Sequence, residues 1–177
     1  PAGLGVRPEH AADGAAVAVA SAAAAVDPGG RAVNGPVLVG ASLDGPGDKH
    51  RRNAGILWSP RTGPGAEYIK RHPVPFAEYI PLRGLAEDVS SAARLVTQDM
   101  VAGSGNGLLS GGPVALGDVI CFEVAYDDLV QSSVRAGARL LVVQTHNATF
   151  GHTDAAYQQP AMSRLRAIET GRTVLQI

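Results

Sequence analysis

Cys121 is the residue of this sequence best suited to chemistry, because a deprotonated thiol is a strong nucleophile. It is the only cysteine among 177 residues, so an internal disulfide is excluded. Cys121 follows an apolar run and precedes a helix-like stretch, a position from which a side chain can reach the rim of a sheet. The alternative is a buried, inert thiol, which is the commoner fate of a free cysteine.

Lys70 and Glu9 are two further candidates for the same chemistry. Lys70 ends a strand-like stretch and can stabilise a developing oxyanion, or it can be a solvated charge at a strand end. Glu9 stands just before the first predicted helix. It can act as a general base, or it can complement the dipole of that helix.

Four other charged residues accompany these candidates. Glu78 follows Pro75-Phe-Ala and can anchor the loop or Lys70. Glu123 comes two positions after the cysteine, which predicts that both side chains share one face of a continuous strand. Arg166 and Glu169 are three residues apart on a predicted helix, so we interpret them as a structural ion pair.

Several classes of function are disfavoured by the sequence. The five histidines show no HExxH spacing and have no CxxC partner, so we predict no metal site. The stretch 103–107 lacks the Gly-Lys-Ser/Thr of a phosphate loop, and no Gly-x-Ser-x-Gly elbow is present. A net charge of −1 gives no basic surface for nucleic acid. The longest apolar stretch, 15–26, is shorter than the roughly 20 residues of a membrane-spanning helix.

Strand-like and helix-like stretches alternate along the chain, which predicts an α/β fold. Lys49 to Arg52, His72 to Pro81 and Gly103 to Pro113 are interpreted as loops, the last of them flexible. The predicted elements are helices over 11–26, 126–136 and 154–170 and strands over 36–43, 55–58, 67–71, 118–124, 139–145 and 173–177.

Glu9, Lys70 and Cys121, in that chain order, resemble the Glu–Lys–Cys triad of the nitrilase (carbon–nitrogen hydrolase) superfamily. After the cysteine, soluble amidases of this superfamily usually have Tyr/Trp-Asp-x-Arg-Phe-Pro, whereas this chain has Phe-Glu-Val-Ala-Tyr. Four stretches are similar to the bacterial apolipoprotein N-acyltransferase branch: Tyr68–Leu82, Ile120–Val124, Asn147–Gly151 and Arg166–Arg172. The stretch Gln144–Phe150 resembles actinobacterial members.

The resemblance implies a role for each matching residue. Glu9 is expected to be the general base, Lys70 to stabilise the oxyanion and Cys121 to carry an acyl thioester. No cofactor or metal is implied. The expected supporting residues are Glu78, Phe122 and Glu123, and the expected substrate-binding residues are His146 and Asn147.

The resemblance also implies an activity, a fold and a location. A fatty acyl chain moves from a membrane phospholipid to the N-terminal diacylglyceryl-cysteine of an apolipoprotein. Residues 1–177 are expected to be one truncated α-β-β-α sandwich, incomplete at both ends. The parent protein is expected to carry transmembrane helices that this chain lacks, with the catalytic domain on the extracytoplasmic side of the cell membrane.

Four positions depart from the family pattern. The Trp-Pro-Glu-Asn expected around the base is Arg7-Pro-Glu-His10, His146 replaces an asparagine and Ala77 replaces a glycine. Ala77 matters only if its position needs a positive φ. Two alternatives therefore stay open. One is a soluble amidase that uses water as acceptor, and the other is a non-catalytic relative that binds lipid or protein.

Overall fold

The computed structural model describes residues 35–89, 93, 95–146 and 153–177, which form two four-stranded sheets. The predicted helix over 11–26 lies outside these residues. The first sheet contains β1 (Val37–Asp44), β2 (His50–Ser59), β3 (Gly63–Ile69) and β4 (Asp99–Met100). The second contains β5 (Leu108–Leu109), β6 (Leu116–Ile120), β7 (Leu140–Gln144) and β8 (Thr173–Gln176).

The first sheet is built around β2. Strands β1 and β3 pair with it antiparallel on its two sides, and β4 pairs in parallel with His50 and Arg51 beyond the end of β3. The interpretation of Lys49 to Arg52 as an exposed loop is wrong for its last three residues, because the β1–β2 ladder continues to the pair Asp44 and Arg51. The β2 strand is thus long enough to support both β3 and the segment that follows it.

Two helices connect the parallel strands of the second sheet. Helix α1 (Arg83–Val89), which the sequence did not predict, precedes this sheet. Helix α2 (Asp127–Arg135) links β6 to β7, and α3 (Ala155–Thr170) links β7 to β8. The apolar core between the second sheet and its helices is formed by residues that are at most 1% exposed: Val119, Val124, Leu129, Val130, Ala138, Leu141 and Val143. The predicted α/β class is therefore confirmed.

The two sheets approach each other closely because glycines face polar side chains between them. A Cβ atom on Gly55 would lie 1.7 Å from Asp118 Oδ2, and one on Gly40 would lie 2.9 Å from Gln144 Oε1. Ile120 packs with Tyr68 of the first sheet, whereas its neighbour Val119 belongs to the helix-facing core. Strand β6 therefore presents alternate residues to the other sheet and to the helices.

The described part of the chain contains no helix that is both long and apolar enough to cross a membrane. The stretch 103–113, which was interpreted as a flexible loop, contains the short strand β5 and is tied down at Gly103, whose N–H donates to Lys70 O at 2.8 Å. This segment therefore belongs to the scaffold around Lys70.

Candidate active site

Cys121 lies in a sharp turn. The prediction of a strand through Val124 is wrong, because β6 ends at Ile120 and a 3-10 helix covers Cys121–Ala125. Cys121 has φ of +57°, a left-handed conformation that costs free energy for a residue with a Cβ atom. Glu123 folds back so that its Oε2 accepts the Ile120 N–H at 2.9 Å. The prediction that Glu123 and Cys121 share one face of a strand is therefore wrong.

Glu123 joins this turn to the segment that carries Lys70. Its carboxylate is fully buried, and its Oε1 accepts hydrogen bonds from Tyr68 Oη at 2.9 Å, Arg71 N at 2.6 Å and His72 N at 3.0 Å. Burial, and next the negative charge of Glu123, raise the pKa of Tyr68, so this hydroxyl remains a donor. A single carboxylate thus fixes both the turn at Cys121 and the backbone on either side of Lys70.

Lys70 is buried and paired. Only 1% of it is exposed, so the alternative of a solvated strand-end charge is wrong. Its Nζ donates to both carboxylate oxygens of Glu78, at 2.8 and 2.7 Å. Glu78 Oε2 also accepts the Val74 N–H at 2.7 Å, so Glu78 holds the loop as well as the lysine. A buried ammonium group needs such a partner, since an unpaired one is very costly.

The loop after Lys70 is strained at two apolar residues. Positive φ angles occur at Phe76 (62°) and Leu82 (47°), and Ala77 is not among the positive-φ residues. The glycine-to-alanine departure at 77 therefore meets no left-handed backbone. The end of the loop is fixed by Asp99, which accepts the Ile80 N–H at 2.9 Å and pairs with Arg83 at 2.5 Å. The hydrogen bond from Arg83 lowers the pKa of Asp99.

Aromatic rings connect the loop to the turn on the solvent side. The ring of Tyr126 stacks on His72 at a centroid distance of 4.3 Å and meets Phe122 edge-on at 6.2 Å. Phe122 is 41% exposed, directly after the cysteine. The Phe122 ring can therefore contact an apolar substrate while it packs against Tyr126.

Arg166 of α3 anchors the far end of the turn. Its guanidinium donates to Val124 O at 2.8 Å and Ala125 O at 2.9 Å, and it pairs with Glu169 at 2.5 Å and Asp127 at 3.1 Å. The predicted structural pair of Arg166 and Glu169 is therefore confirmed. The arginine does more than the sequence suggested, because it caps two carbonyl groups of the 3-10 helix.

Asp118 is a second buried carboxyl, one strand position before the core residue Val119. Gln144 Nε2 donates to its Oδ1 at 2.8 Å, while its Oδ2 has no hydrogen-bond partner among the described residues. Burial raises the pKa of Asp118 from its ordinary value of 3.8 to about 7, and the charge of Glu123 adds to this shift. Burial thus favours the neutral form of this carboxyl group.

The remaining candidates are only partly placed. His146 is exposed after the end of β7, while Glu9 and Asn147 lie outside the described residues, as do Arg7 and His10. No group of three or more His, Cys, Asp or Glu side chains suited to a metal occurs in the described ranges.

The sequence reasoning missed Tyr68 and Asp118. Asp118 is a polar residue next to the apolar Val119 and Ile120 of β6, and that pattern was the available signal.

The arrangement combines a thiol at a strained turn, backbone N–H groups that begin a 3-10 helix and a buried ammonium group on the linked segment. A thiol in such a position can attack a carbonyl carbon, and N–H groups together with an ammonium can stabilise the resulting oxyanion. The described part of the site therefore suits acyl chemistry.

Comparison with known proteins agrees with this chemistry. Residues 19–176 match the family Carbon-nitrogen hydrolase. Among curated proteins, the apolipoprotein N-acyltransferase of Mycolicibacterium smegmatis is 36% identical over 172 residues, covering 95% of this chain and 29% of that protein. The apolipoprotein N-acyltransferase of Gloeobacter violaceus is 43% identical over 111 residues, covering 62% of this chain and 21% of that protein. The chain thus spans less than a third of these relatives.

Solved structures agree on the fold. An amidase of the nitrilase superfamily from Nesterenkonia superposes with a TM-score of 0.57 at 21% identity, covering 92% of this chain and 54% of the amidase. This likeness shows the fold alone, and the predicted nitrilase-like fold is confirmed. The chain belongs to the carbon-nitrogen hydrolase family, and its sequence is similar to those of apolipoprotein N-acyltransferases.

Proposed function

We propose that this chain, residues 1–177, is the catalytic domain of an apolipoprotein N-acyltransferase. The observation that carries the proposal is the strained Cys121 turn, which Glu123 binds to the segment of the buried Lys70. Similarity to acyltransferases over 95% of the chain favours acyl transfer over hydrolysis. The sequence after Cys121, which differs from the usual amidase pattern, supports the same choice.

The first half-reaction acylates the cysteine. Glu9 takes the proton of the Cys121 thiol, and Sγ attacks the ester carbonyl carbon of a phospholipid. Lys70 and the N–H of Phe122 stabilise the tetrahedral oxyanion. The ester C–O bond then breaks, the lysophospholipid oxygen takes the proton from Glu9, and the acyl chain remains on Cys121 as a thioester.

The second half-reaction transfers the acyl chain. The α-amino group of a diacylglyceryl-cysteine at the N-terminus of an apolipoprotein attacks the thioester carbon while Glu9 accepts its proton. The C–S bond breaks, an amide forms, and Cys121 regains the proton. Lys70 keeps its position through Glu78, which also holds the loop. We assign His146 and Asn147 to substrate binding beside this site, and no cofactor takes part.

The substrates determine the location. A phospholipid donor and a lipidated acceptor both reside in a bilayer, so the domain acts at the cell membrane. We place it on the extracytoplasmic side, held there by transmembrane helices of the parent protein.

The test is detection of the acyl thioester. The intact protein that carries this chain is purified in detergent and mixed with a labelled phospholipid and no acceptor. Mass spectrometry is expected to find a hydroxylamine-labile acyl group on Cys121 that is absent from Cys121→Ala. A folded protein without this adduct contradicts the proposal and favours an amide substrate or a binding role.

A further inference from the structure

Thr145 and Gln159 lie behind the cysteine. Thr145 follows β7, and its backbone is fixed by a hydrogen bond from its N–H to Ile177 O at 2.9 Å. Its Oγ1 lies 3.9 Å from Cys121 Sγ, within hydrogen-bond reach of a sulfur atom, and 2.8 Å from Gln159 Oε1. Gln159, on the second turn of α3, is only 2% exposed. A threonine hydroxyl therefore stands between a buried amide and the thiol.

The hydrogen-bond count favours the amide as donor to the hydroxyl. A hydroxyl has one proton and cannot fully satisfy both Gln159 Oε1 and Cys121 Sγ. Gln159 Nε2 is buried without a hydrogen-bond partner among the described residues, which is costly for an N–H donor. The two ends of a glutamine amide have nearly the same shape, so the side chain can take the opposite orientation in the same space. Nε2 then donates to Thr145 Oγ1.

We propose that Thr145 is a further catalytic residue whose hydroxyl donates a hydrogen bond to the Cys121 thiolate, and that Gln159 is the positioning residue that orients it. This inference rests on the proposed function, in which Cys121 is the nucleophile. The Thr145 proton stays on Oγ1 throughout, while Glu9 carries the proton that leaves Sγ.

The hydrogen bond acts in both half-reactions. A hydrogen bond to a charged sulfur is stronger than one to a neutral thiol or thioester. It therefore stabilises the thiolate before it attacks the phospholipid, and again when it leaves the thioester carbon. The contact weakens while the sulfur is acylated, so it does not stabilise the intermediate against the amine.

The experiment measures alkylation of Cys121 by iodoacetamide between pH 6 and 9, read on the Cys121 peptide by mass spectrometry in the intact, detergent-purified protein. Thr145→Val removes the hydroxyl with little change in shape. We expect alkylation about tenfold slower at pH 7, with the pH–rate profile displaced upward by about one pH unit. Thr145→Ser keeps the hydroxyl and is expected to stay within about twofold of the wild type. Gln159→Met should give an intermediate slowing.

Two results overturn the inference. One is a folded Thr145→Val protein with the wild-type rate and profile. The other is a folded Thr145→Ser protein that is as slow as Thr145→Val, which makes the role structural. Failure of the proposed function is distinguishable, because the wild type then forms no acyl adduct with phospholipid although alkylation still responds to Thr145. That result would show that Thr145 affects the thiol but takes no part in acyl transfer.

Discussion

Two buried carboxyl groups lie five residues apart around the end of β6, and the structure treats them in opposite ways. Glu123 accepts four hydrogen bonds, from Tyr68, Arg71, His72 and Ile120. Within the described ranges, a side chain donates to Asp118 only from Gln144, and the second oxygen of Asp118 faces Gly55. Burial alone therefore does not determine how a carboxyl group is held; the two groups differ in the number of donors aimed at them.

The contrast separates the Cys121 turn from the sheet interface. Because its donors come from the Lys70 segment and from the start of the turn, Glu123 can organise chemistry while staying out of contact with substrate. Asp118 instead fills the space that Gly55 leaves between the sheets. The first is expected to control activity and the second to control stability and its pH dependence.

The largest effect is expected from Glu123→Gln. A glutamine presents an NH₂ group either at the place of Oε1, where three donors point, or at the place of Oε2, where the Ile120 N–H points. Either way, the Lys70 segment and the Cys121 turn lose their common support. We expect acyl-adduct formation on Cys121 to fall about a hundredfold, the usual effect of a small displacement in an active site. Glu67→Gln, on an exposed residue of β3, is the matched control and should be neutral. Equal rates for both variants would contradict the role of Glu123.

Glu78→Gln should have the next largest effect. It leaves the Lys70 ammonium buried without its carboxylate, and breaking a buried pair is strongly unfavourable. We expect adduct formation to be about tenfold slower, together with a lower melting temperature. Single-turnover measurements beside scanning fluorimetry check both effects. A variant that retains wild-type values in both assays shows that Lys70 does not depend on this partner.

Gly55→Ala tests the sheet interface. Its new methyl group would lie 1.7 Å from Asp118 Oδ2, so the sheets must move apart or the carboxyl must turn. We expect a loss of about 2 kcal/mol in the free energy of unfolding, as is typical of overpacking. Activity below the lowered melting temperature should change little. Gly84→Ala, where no atom lies within 4 Å of the added Cβ, is the control in denaturant titrations.

The smallest effect on activity is expected from Asp118→Asn. This variant should instead change how the free energy of unfolding depends on pH. Since folding raises the pKa of Asp118 from 3.8 to about 7, its contribution to stability is fully present below about pH 4. That contribution is lost as the pH rises through 7. Asp118→Asn should flatten this part of the stability profile and alter adduct formation less than threefold. Asp48→Asn, at an exposed position, should leave the slope intact.

The sequence predicted what is local and periodic. The alternation of strands and helices, the strands β1 and β7, the helices α2 and α3 and the pairing of Arg166 with Glu169 follow from spacing along one element. The family resemblance predicted that Lys70 and Cys121 act together. The sequence around each residue did not favour catalysis over the alternatives, a solvated charge for Lys70 and a buried thiol for Cys121.

The rest depends on contacts between distant segments. Glu123 looked like a strand residue because its neighbours are apolar, and only donors about fifty residues earlier explain why the chain turns at Cys121. The short strands β4 and β5 exist through pairing alone. Asp118 could not be assigned to the sheet interface either, because the glycine that makes room for it belongs to the other sheet.

Amide hydrogen exchange at Arg71 and His72, whose N–H groups donate to Glu123, tests most directly whether this carboxylate joins Lys70 to Cys121. Exchange is compared in the wild type, Glu123→Gln and Asp118→Asn forms of the intact protein. We expect at least about tenfold faster exchange in the segment 70–73 of Glu123→Gln only. Unchanged protection in Glu123→Gln, or equal loss in both variants, would contradict the claim that Glu123 joins Lys70 to Cys121.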